Sequence, residues 1–544
     1  MRLRFLSLIA SFTLVFLFAA FTVYNLQIKN GAYYTERVRA QNEQAGLLNP
    51  PRALIYVTDK NNSRIPAAMN KEYPMIYASP VDIGDAEEAS QMLSQVLNLD
   101  AETLLPILQK PEDRYEKLIS RATKEQIAAL RETPIKGIYV DSEEARFYPF
   151  GSFAAHVFGF TAPTETDPVA RGRYGLEAQY NEALSGTAGT YSGKDVTAPV
   201  NGEAIVTTLD RTIQIRSEEV LQQLVETYQP TGGTIIVQEP TTGKIMAMAS
   251  YPTFDPNEYG KAEVEDFLNP AVQAVYEPGS IFKVFTMAIG LDSNKITPET
   301  TYYDTGELNV NGRTIRNWDH KAHGTLTMTE VIEGSVNTGA AFAERKIGHD
   351  LFYQYLVKFG LKELTGIDLP GEIIGRLTSL EKNKQEINFA TASFGQGVSV
   401  TPIRLITMIS AIANKGIMNQ PYITEAYRSN WEFRVIGETA AKQVTAMMVS
   451  AVKKASVAAI PHYAVAGKTG TAQIPDFKNG GYLDFEEGVI HSYAGFAPAY
   501  DPKFTILIKL DKPKSAPLAG QTVVPAFREL SEFLLNYFNV PPTE

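Results

Sequence analysis

The feature that most limits the fold is an uncharged stretch of 20 residues near the N-terminus, residues 5–24. A helix of this length crosses the hydrocarbon core of a bilayer. Arg2 and Arg4 precede the stretch, and such charges keep their end of a span in the cytoplasm. We therefore predict a single uncleaved membrane anchor, with everything after Ile28 on the outer side.

A cleaved signal peptide is the alternative interpretation of this stretch. Its apolar core would have about 7–15 residues and end in small residues, whereas this run is longer and leads into Asn25-Leu26-Gln27-Ile28. Residues 29–49 are polar, and we expect them to form a helix as the chain leaves the membrane. Asn49-Pro50-Pro51 ends that helix.

Composition excludes several classes of function. Hydrophobic residues make up 44% of the chain and charged residues 20%, as in folded proteins, and 544 residues suggest two to four domains. The net charge of −11 argues against a nucleic-acid partner, which needs a basic surface. The chain has no cysteine, so disulfides, thiolate metal sites and cysteine nucleophiles are excluded.

Coarse patterns suggest one α/β domain in the C-terminal part. Asp210 is placed to cap a helix that reaches about Tyr228. Alternating and turn residues predict hairpins over 233–250 and 492–510, and residues 525–538 look like a closing helix. Sheet at both ends with helices between them suggests one α/β domain of about 310 residues, which is larger than most domains.

The candidate chemistry starts at Ser280, which follows Pro278-Gly279 and precedes an apolar run to Leu291. We expect Ser280 at or near the N-terminus of a buried helix, with Lys283 one turn further on the same face. A serine hydroxyl needs an adjacent base. A buried lysine can supply it, because burial disfavours the ammonium form.

Two other Ser-x-x-Lys sequences begin at Ser379 and Ser450. The first lies in a polar stretch beside Lys384, and the second falls late in a predicted helix that Lys454 follows. Because such a short motif arises by chance, its setting decides the interpretation. We assign both sequences structural or surface roles.

Two further motifs are weak when each is taken alone. Ser335-Val336-Asn337 offers a hydroxyl for proton relay and an amide for holding a substrate amide, but it also suits a helix cap or turn. Lys468-Thr469-Gly470-Thr471 offers a charge and hydroxyls for a carboxylate, and Gly470 lets the backbone approach a ligand. A structural turn is the alternative for this motif too.

Together, S-x-x-K, S-x-N and K-T-G in this order resemble the signature of penicillin-binding proteins and class A β-lactamases. The chain resembles class B penicillin-binding proteins over nearly its whole length. Further matches are Gly175-Leu176-Glu177, Leu184-Ser185-Gly186, Ala155-His156-Val157, Gly159-Phe160, Thr242-Gly243-Lys244-Ile245, Phe254-Asp255-Pro256-Asn257, and Gly395-Gln396-Gly397 with Thr401-Pro402.

The resemblance implies a serine acyl-enzyme mechanism. Ser280 would attack the penultimate D-Ala carbonyl of a stem peptide and release the terminal D-Ala, while Lys283 takes the serine proton. Ser335 and Lys468 would pass a proton to the leaving amine. A second amine would then take the acyl group, or water would take it in a carboxypeptidase side reaction.

The resemblance also implies the substrate-binding residues. Asn337 would hold the substrate amide and Thr469 its terminal carboxylate, with Gly470 and Thr471 on the same segment. The N–H groups of Ser280 and Thr471 would form the oxyanion hole.

We expect neither cofactor nor metal. His320 and His323 are three residues apart, but Lys321 lies between them and no third ligand is in view, so we interpret them as loop or core residues.

The implied fold is α/β (α+β), in three parts. Residues 1–28 would be a cytoplasmic stub and transmembrane anchor, and residues 29–210 an elongated mixed α/β pedestal of the dimerisation type. Residues 211–544 would be a transpeptidase domain, with a mainly antiparallel sheet, flanking helices and a helical subdomain. The enzyme would be a single-pass protein of the bacterial cytoplasmic (inner) membrane with its catalytic domain outside.

The implied partners are peptidoglycan stem peptides, lipid-linked precursors, β-lactams and the membrane. The N-terminal part shows no glycosyltransferase signature, so a glycosyltransferase and other division proteins would be partners too.

The septal, cell-division subgroup is favoured by Asn337, by residues 365–372 and by the compact pedestal. An elongation-type enzyme, which tends to carry Asp in the second motif, is the alternative, followed by a β-lactam sensor or an inactive scaffold. The chain departs from the family at Ala53, where Gly is usual, and Val57-Thr58 looks inserted.

Overall fold

The computed structural model describes residues 16, 47–48, 50–163, 170–192, 195–382, 384–429, 431–476, 478–484 and 488–542. The predicted membrane anchor, residues 5–24, lies outside this set except for Phe16. No helix within the described ranges has both the length and the apolar character needed to span a membrane. Contacts divide the chain into two compact units, Met1–Ala53 with Glu182–Ala204, and Leu54–Asn181 with Ile205–Glu544.

The first unit contains a small antiparallel sheet of three strands, Leu47–Leu48, Gly189–Ser192 and Asp195–Thr197. The helix predicted over 29–49 is therefore wrong at its end, because Leu47 pairs with Thr190. Strand pairing with a distant segment satisfies the backbone there, and local polarity carries no signal for it. The residues before Leu47 lie outside the described part.

The second unit begins with a five-stranded mixed sheet. Its strands are Ile55–Thr58, Arg64–Ala78, Glu116–Ile119, Ile138–Phe147 and Ile205–Asp210. The last of these runs parallel to Ile55–Thr58, and the other pairings are antiparallel. Three helices, Ala86–Leu97, Ala101–Leu108 and Lys124–Glu132, bury Leu93, Leu104 and Leu130 in a shared core.

Short elements connect this sheet to the rest of the chain. They are the helices Ala155–Phe158, Gly175–Gln179 and Asn181–Ser185 and the strands Thr161–Ala162 and Arg171–Gly172. Glu177, in one of the family-like motifs, forms a fully buried ion pair with Arg146 at 2.7 Å and accepts from the Tyr148 hydroxyl at 3.2 Å. This contact ties the helix Gly175–Gln179 to the long strand Ile138–Phe147, and losing either member of the pair would leave an uncompensated buried charge.

A second sheet organises the C-terminal part. Its five antiparallel strands are β1 (Gly232–Gln238), β2 (Ile245–Tyr251), β3 (Ala466–Gln473), β4 (Val489–Ala497) and β5 (Phe504–Asp511). The spatial order is β2-β1-β5-β4-β3, so the two predicted hairpins lie side by side through β1 and β5, and β3 is an edge strand.

Helices cover this sheet and fill the sequence between β2 and β3. They are α1 (Arg211–Tyr228), α2 (Pro270–Gln273), α3 (Phe282–Asp292), α4 (Met328–Gly334), α5 (Asn337–Ile347), α6 (His349–Lys358), α7 (Thr378–Lys382), α8 (Glu386–Ala392), α9 (Pro402–Ala413), α10 (Glu438–Ala455) and α11 (Val523–Tyr537). Three two-stranded ribbons lie among them: Thr301–Asp304 with Gly324–Thr327, Glu307–Val310 with Arg313–Arg316, and Ile417–Asn419 with Glu432–Arg434. Short 3₁₀ helices are Pro80–Asp82, Pro256–Lys261, Val264–Phe267, Gly279–Ile281, Glu425–Tyr427 and Ala519–Gln521.

Helices α1 and α11 pack against this sheet in one hydrophobic core. Their apolar faces pack with the β1 and β5 side chains around Leu221, Ile235, Ile508 and Phe527. The Asp210 carboxylate accepts from two N–H groups in the first turn of α1, which confirms the predicted cap. The closing helix begins at Val523, two residues before the predicted start, which is within the usual uncertainty of helix ends.

Candidate active site

The turn before α3 places Ser280 at the start of a buried helix. Gly279 has φ of +55°, a left-handed conformation that suits glycine. Ser280 lies in the 3₁₀ turn Gly279–Ile281, and α3 follows with every residue from Phe282 to Leu291 buried. The Gly279 N–H donates to the Gly395 carbonyl at 3.2 Å, which fixes the turn against a neighbouring one.

Lys283 lies on α3 with its amine turned toward Ser280. Its Nζ is 2.9 Å from Ser280 Oγ, 2.6 Å from the Ser335 carbonyl oxygen and 2.7 Å from Asn337 Oδ1. The residue is completely buried. Burial, and then repulsion from the Lys468 ammonium group, hold the pKa of Lys283 well below its ordinary value.

The second motif lies at the junction of two helices. Ser335 follows α4 in a left-handed conformation, with φ of 55°, and Asn337 is the first residue of α5. The Asn337 amide donates from Nδ2 to the Arg316 carbonyl at 2.8 Å, so its Oδ1 faces Lys283. Ser335-Val336-Asn337 therefore forms the turn that was the alternative interpretation, and it also contacts Lys283, the residue beside the nucleophile.

The third motif lies on β3 and is a strand, so the structural-turn alternative for these residues is wrong. Lys468 Nζ donates to Ser335 Oγ at 2.9 Å and lies 3.2 Å from the carbonyl and the hydroxyl oxygen of Thr469. Burial lowers the pKa of Lys468 to about 7. Ser335 therefore lies between two lysines, since its Oγ is also 3.2 Å from Lys283 Nζ.

Gly470 lets β3 approach the Ser280 turn. A side chain there would meet Ser492 Oγ at 2.4 Å and the Pro278 carbonyl oxygen at 2.7 Å. Thr471, the next residue, accepts from the Ala519 N–H through its hydroxyl at 3.3 Å. The packing of strand against turn brings the first and third motifs together across a cleft.

This cleft has a volume of about 840 Å³, and Ser280, Ser335, Asn337, Lys468, Thr469 and Thr471 line it. Sequence reasoning missed other lining residues, among them Arg316 and Trp318. The Trp318 indole donates to the Gly334 carbonyl at 3.1 Å, yet 57% of the residue is exposed. A tryptophan in a segment without helix or strand periodicity was the available signal, because tryptophan is frequent at binding surfaces.

The other Ser-x-x-Lys serines have different partners. Ser379 donates to the Gly397 carbonyl at 2.6 Å. Ser450, on α10, donates to the Glu333 carboxylate, which also pairs with Lys454 at 2.9 Å. Both serines thus make structural contacts, as predicted.

The two histidines have separate environments. The His323 ring contacts the carboxylates of Asp304 at 2.7 Å and Asp319 at 3.1 Å, and the hydrogen bond with Asp304 raises the pKa of His323. Buried Asp304 also accepts from the Thr338 hydroxyl at 2.7 Å, so this network supports the start of α5 beside Asn337. His320 lines the cleft.

Comparisons with known proteins agree with this arrangement. The penicillin binding protein transpeptidase domain matches residues 233–532, and the penicillin-binding protein dimerisation domain matches residues 47–221. Stage V sporulation protein D of Bacillus subtilis is 33% identical over 499 residues, covering 86% of this chain and 75% of that protein. The probable peptidoglycan D,D-transpeptidase PenA of Neisseria meningitidis is 27% identical, covering 97% of this chain and 92% of that protein.

A solved structure extends the likeness to three dimensions. Penicillin binding protein 3 of Mycobacterium tuberculosis, in complex with aztreonam, superposes with a TM-score of 0.69 at 26% identity and covers 91% of this chain and 99% of its own. The transpeptidase domain alone accounts for more than half of the 544 residues. The chain therefore belongs to the penicillin-binding proteins, as a class B peptidoglycan D,D-transpeptidase.

Proposed function

We propose that this enzyme cross-links peptidoglycan at the division septum through an acyl-enzyme on Ser280, and that β-lactams acylate the same serine. The observation that carries the proposal is the position of the Lys283 amine. It is buried, 2.9 Å from Ser280 Oγ, and in contact with the Ser335 hydroxyl that Lys468 also reaches.

Lys283 acts as the base in its neutral form. A neutral amine has two N–H groups and one lone pair. The carbonyl oxygen of Ser335 and the amide oxygen of Asn337 can only accept, so they take both N–H groups at 2.6 and 2.7 Å. The lone pair is left for the Ser280 hydroxyl, which donates its proton as Oγ attacks.

Ser335 and Lys468 carry the proton to the leaving group. Ser335 Oγ lies 3.2 Å from Lys283 Nζ and 2.9 Å from Lys468 Nζ, so it bridges the two amines. Lys468, whose pKa burial lowers to about 7, exchanges a proton readily near neutral pH. The proton taken from Ser280 thereby reaches the amine that departs.

The edge strand β3 binds the donor peptide. Thr469 takes the terminal carboxylate, Gly470 allows close approach, and Asn337 holds a substrate amide. Alternate N–H groups of an edge strand have no partner strand, which supports Thr471 N–H, with that of Ser280, as the oxyanion hole.

The reaction proceeds in two steps, acylation of Ser280 and transfer of the acyl group. Ser280 Oγ bonds to the penultimate D-Ala carbonyl carbon, the C–N bond breaks, and the terminal D-Ala leaves as a neutral amine that carries the proton taken from Ser280. An acceptor amine then attacks the ester, forms the new amide and returns a proton to Ser280 Oγ. If water attacks instead, the product is the shortened carboxylic acid.

The proposal includes the division into anchor (1–28), pedestal (29–210) and transpeptidase domain (211–544). We also propose that the protein crosses the cytoplasmic membrane once. Its proposed partners are division proteins, among them a glycosyltransferase. The septal assignment is supported by Asn337 in the second motif and by residues 365–372. Relatives that carry the name FtsI, in Caulobacter vibrioides and Mesostigma viride, support it as well.

Labelling with a fluorescent penicillin tests the catalytic assignment. We expect one adduct on the peptide that contains Ser280, and none in Ser280→Ala. Ser379→Ala and Ser450→Ala are matched controls that should label like the wild type, and the loss of label in either would contradict the assignment. Unlabelled protein would favour the inactive scaffold, while stable acylation without release of D-Ala from a pentapeptide would favour the sensor.

Depletion in the native cell tests the septal role. We expect long cells without completed septa. Rounded cells would instead indicate an elongation enzyme, and a defect confined to spore formation would indicate a role like that in the name of the Bacillus relative.

A further inference from the structure

A buried histidine lies beside the proposed oxyanion strand and has no part in the steps above. His491, on β4, is opposite Thr471 in the β3–β4 register. It is completely buried. Burial lowers its pKa to about 4, a shift that the nearby Pro517 carbonyl opposes, so the ring is neutral at physiological pH.

Hydrogen bonds lead from this ring to the cleft. His491 Nδ1 lies 3.0 Å from Thr522 Oγ1, and the Thr522 hydroxyl also reaches the Ala519 carbonyl at 3.4 Å. The Ala519 N–H in turn donates to Thr471 Oγ1 at 3.3 Å. The segment 517–522 is thus attached to β4 through His491 and to β3 through Thr471.

That segment forms one wall of the active-site cleft. Leu518 and Gly520 line the cavity beside Thr471. The segment contains only the 3₁₀ turn Ala519–Gln521, and short 3₁₀ turns have weak hydrogen-bond geometry of their own. Apart from the packing of Ala519 in the sheet core, its position depends on the polar contacts at Ala519 and Thr522.

A buried imidazole is an unfavourable choice at position 491 if the side chain only fills space. Within the described residues, His491 Nε2 has no hydrogen-bond partner of normal geometry. Leaving a buried ring nitrogen without a hydrogen bond is unfavourable, and an apolar side chain would avoid that cost. The contact with Thr522 is what the ring supplies and an apolar residue cannot.

We propose that His491 is a positioning residue for acyl transfer. Through Thr522 it holds the segment 517–522 against Thr471 and sets the width of the cleft where the substrate carbonyl meets the oxyanion hole. This inference rests on the proposed role of Thr471. His491 and Thr522, which lie outside the three motifs, then help to determine how fast Ser280 is acylated.

Two matched pairs of substitutions in the full-length chain test the proposal. His491→Leu and Thr522→Val remove the contact, whereas His491→Asn and Thr522→Ser keep a polar group in a similar place. For each variant, penicillin acylation is resolved into the binding constant and the maximal acylation rate, and thermal unfolding is recorded. We expect the maximal rate to fall about tenfold in the first two, because a small misplacement of reacting groups is costly. The second two should stay within about twofold of the wild type, on the same reasoning that their reacting groups remain in place.

The double variant His491→Leu/Thr522→Val should be no slower than either single variant, because both remove one contact. A wild-type rate in folded Thr522→Val, or additive losses in the double variant, would overturn the proposal. Equal losses in Thr522→Ser and Thr522→Val would do so too. Absence of label on Ser280 in the wild type would instead overturn the proposed function, so the two failures are distinguishable.

Discussion

Lys283 carries the first prediction at the scale of single residues, which concerns pH. Its pKa is lowered by burial and by Lys468, and only the neutral amine accepts the serine proton. Acylation by penicillin should therefore rise with pH through the lowered pKa and level off well below the ordinary lysine value of 10.5. The second-order acylation rate between about pH 5 and 10, a range ending just below the free-lysine value, checks this.

Lys283→Arg is the matched variant for this profile. A guanidinium group keeps its charge but cannot lose its proton at accessible pH, so we expect almost no acylation. A wild-type rate that still climbs at the top of the range, or an active Arg variant, would rule out the role as base.

Asn337 offers a second prediction at the same scale, because its Oδ1 is 2.7 Å from Lys283 Nζ. Asn337→Asp puts a negative charge there with little change of shape. A nearby carboxylate favours the ammonium form by about one pKa unit or more. The rising limb of the acylation profile should move to higher pH by at least that amount. Asn337→Ala, which loses the contact without adding charge, should slow acylation without this alkaline shift; an unshifted Asp variant would contradict the prediction.

At the scale of elements, the active-site turn depends on a second turn. Gly395 has φ of +81°, and a Cβ there would lie 2.2 Å from the Gly279 carbonyl oxygen. Gly395→Ala should displace the Ser280 turn and slow acylation by roughly tenfold to a hundredfold, as misplaced reacting groups do.

Gly480→Ala is the control for backbone strain alone. Gly480 has a similar φ of +76°, but a Cβ there meets nothing within 4 Å. Acylation rates and melting temperatures of both variants separate the clash from the strain. Equal rates in the two variants would show that the contact between the turns does not matter for catalysis.

At the scale of the whole molecule, anchoring and catalysis should be separable. The core of the catalytic sheet draws its buried residues from Ile213 to Leu535, and the predicted anchor, residues 1–28, contributes none of them. A chain without residues 1–28 should therefore be soluble and acylate at the wild-type rate. Cells that rely on it should fail to complete septa, since the enzyme is no longer held at the membrane; normal division would show that the anchor is dispensable.

Local patterns were enough to predict the elements that frame the site. The Asp210 cap and both hairpins agree with expectation. Each of these signals lies within one short stretch of consecutive residues, so the local sequence is enough to predict the element. The buried helix α3 was predicted for the same reason, from an apolar run that covers all of its faces.

The arrangement of the site needed the tertiary structure. Sequence order identified the three motifs, but Ser335 and Lys468 are 133 residues apart, and only the packing of β3 against the helices brings them to 2.9 Å. That Lys468 lies on a strand was also undetermined, because strand pairing depends on a distant partner. The role of His491 depends on a third segment, 517–522, for which no local pattern provides a signal. The residue types and motif order are local properties of the chain, whereas the distances that allow a proton to move arise from long-range packing.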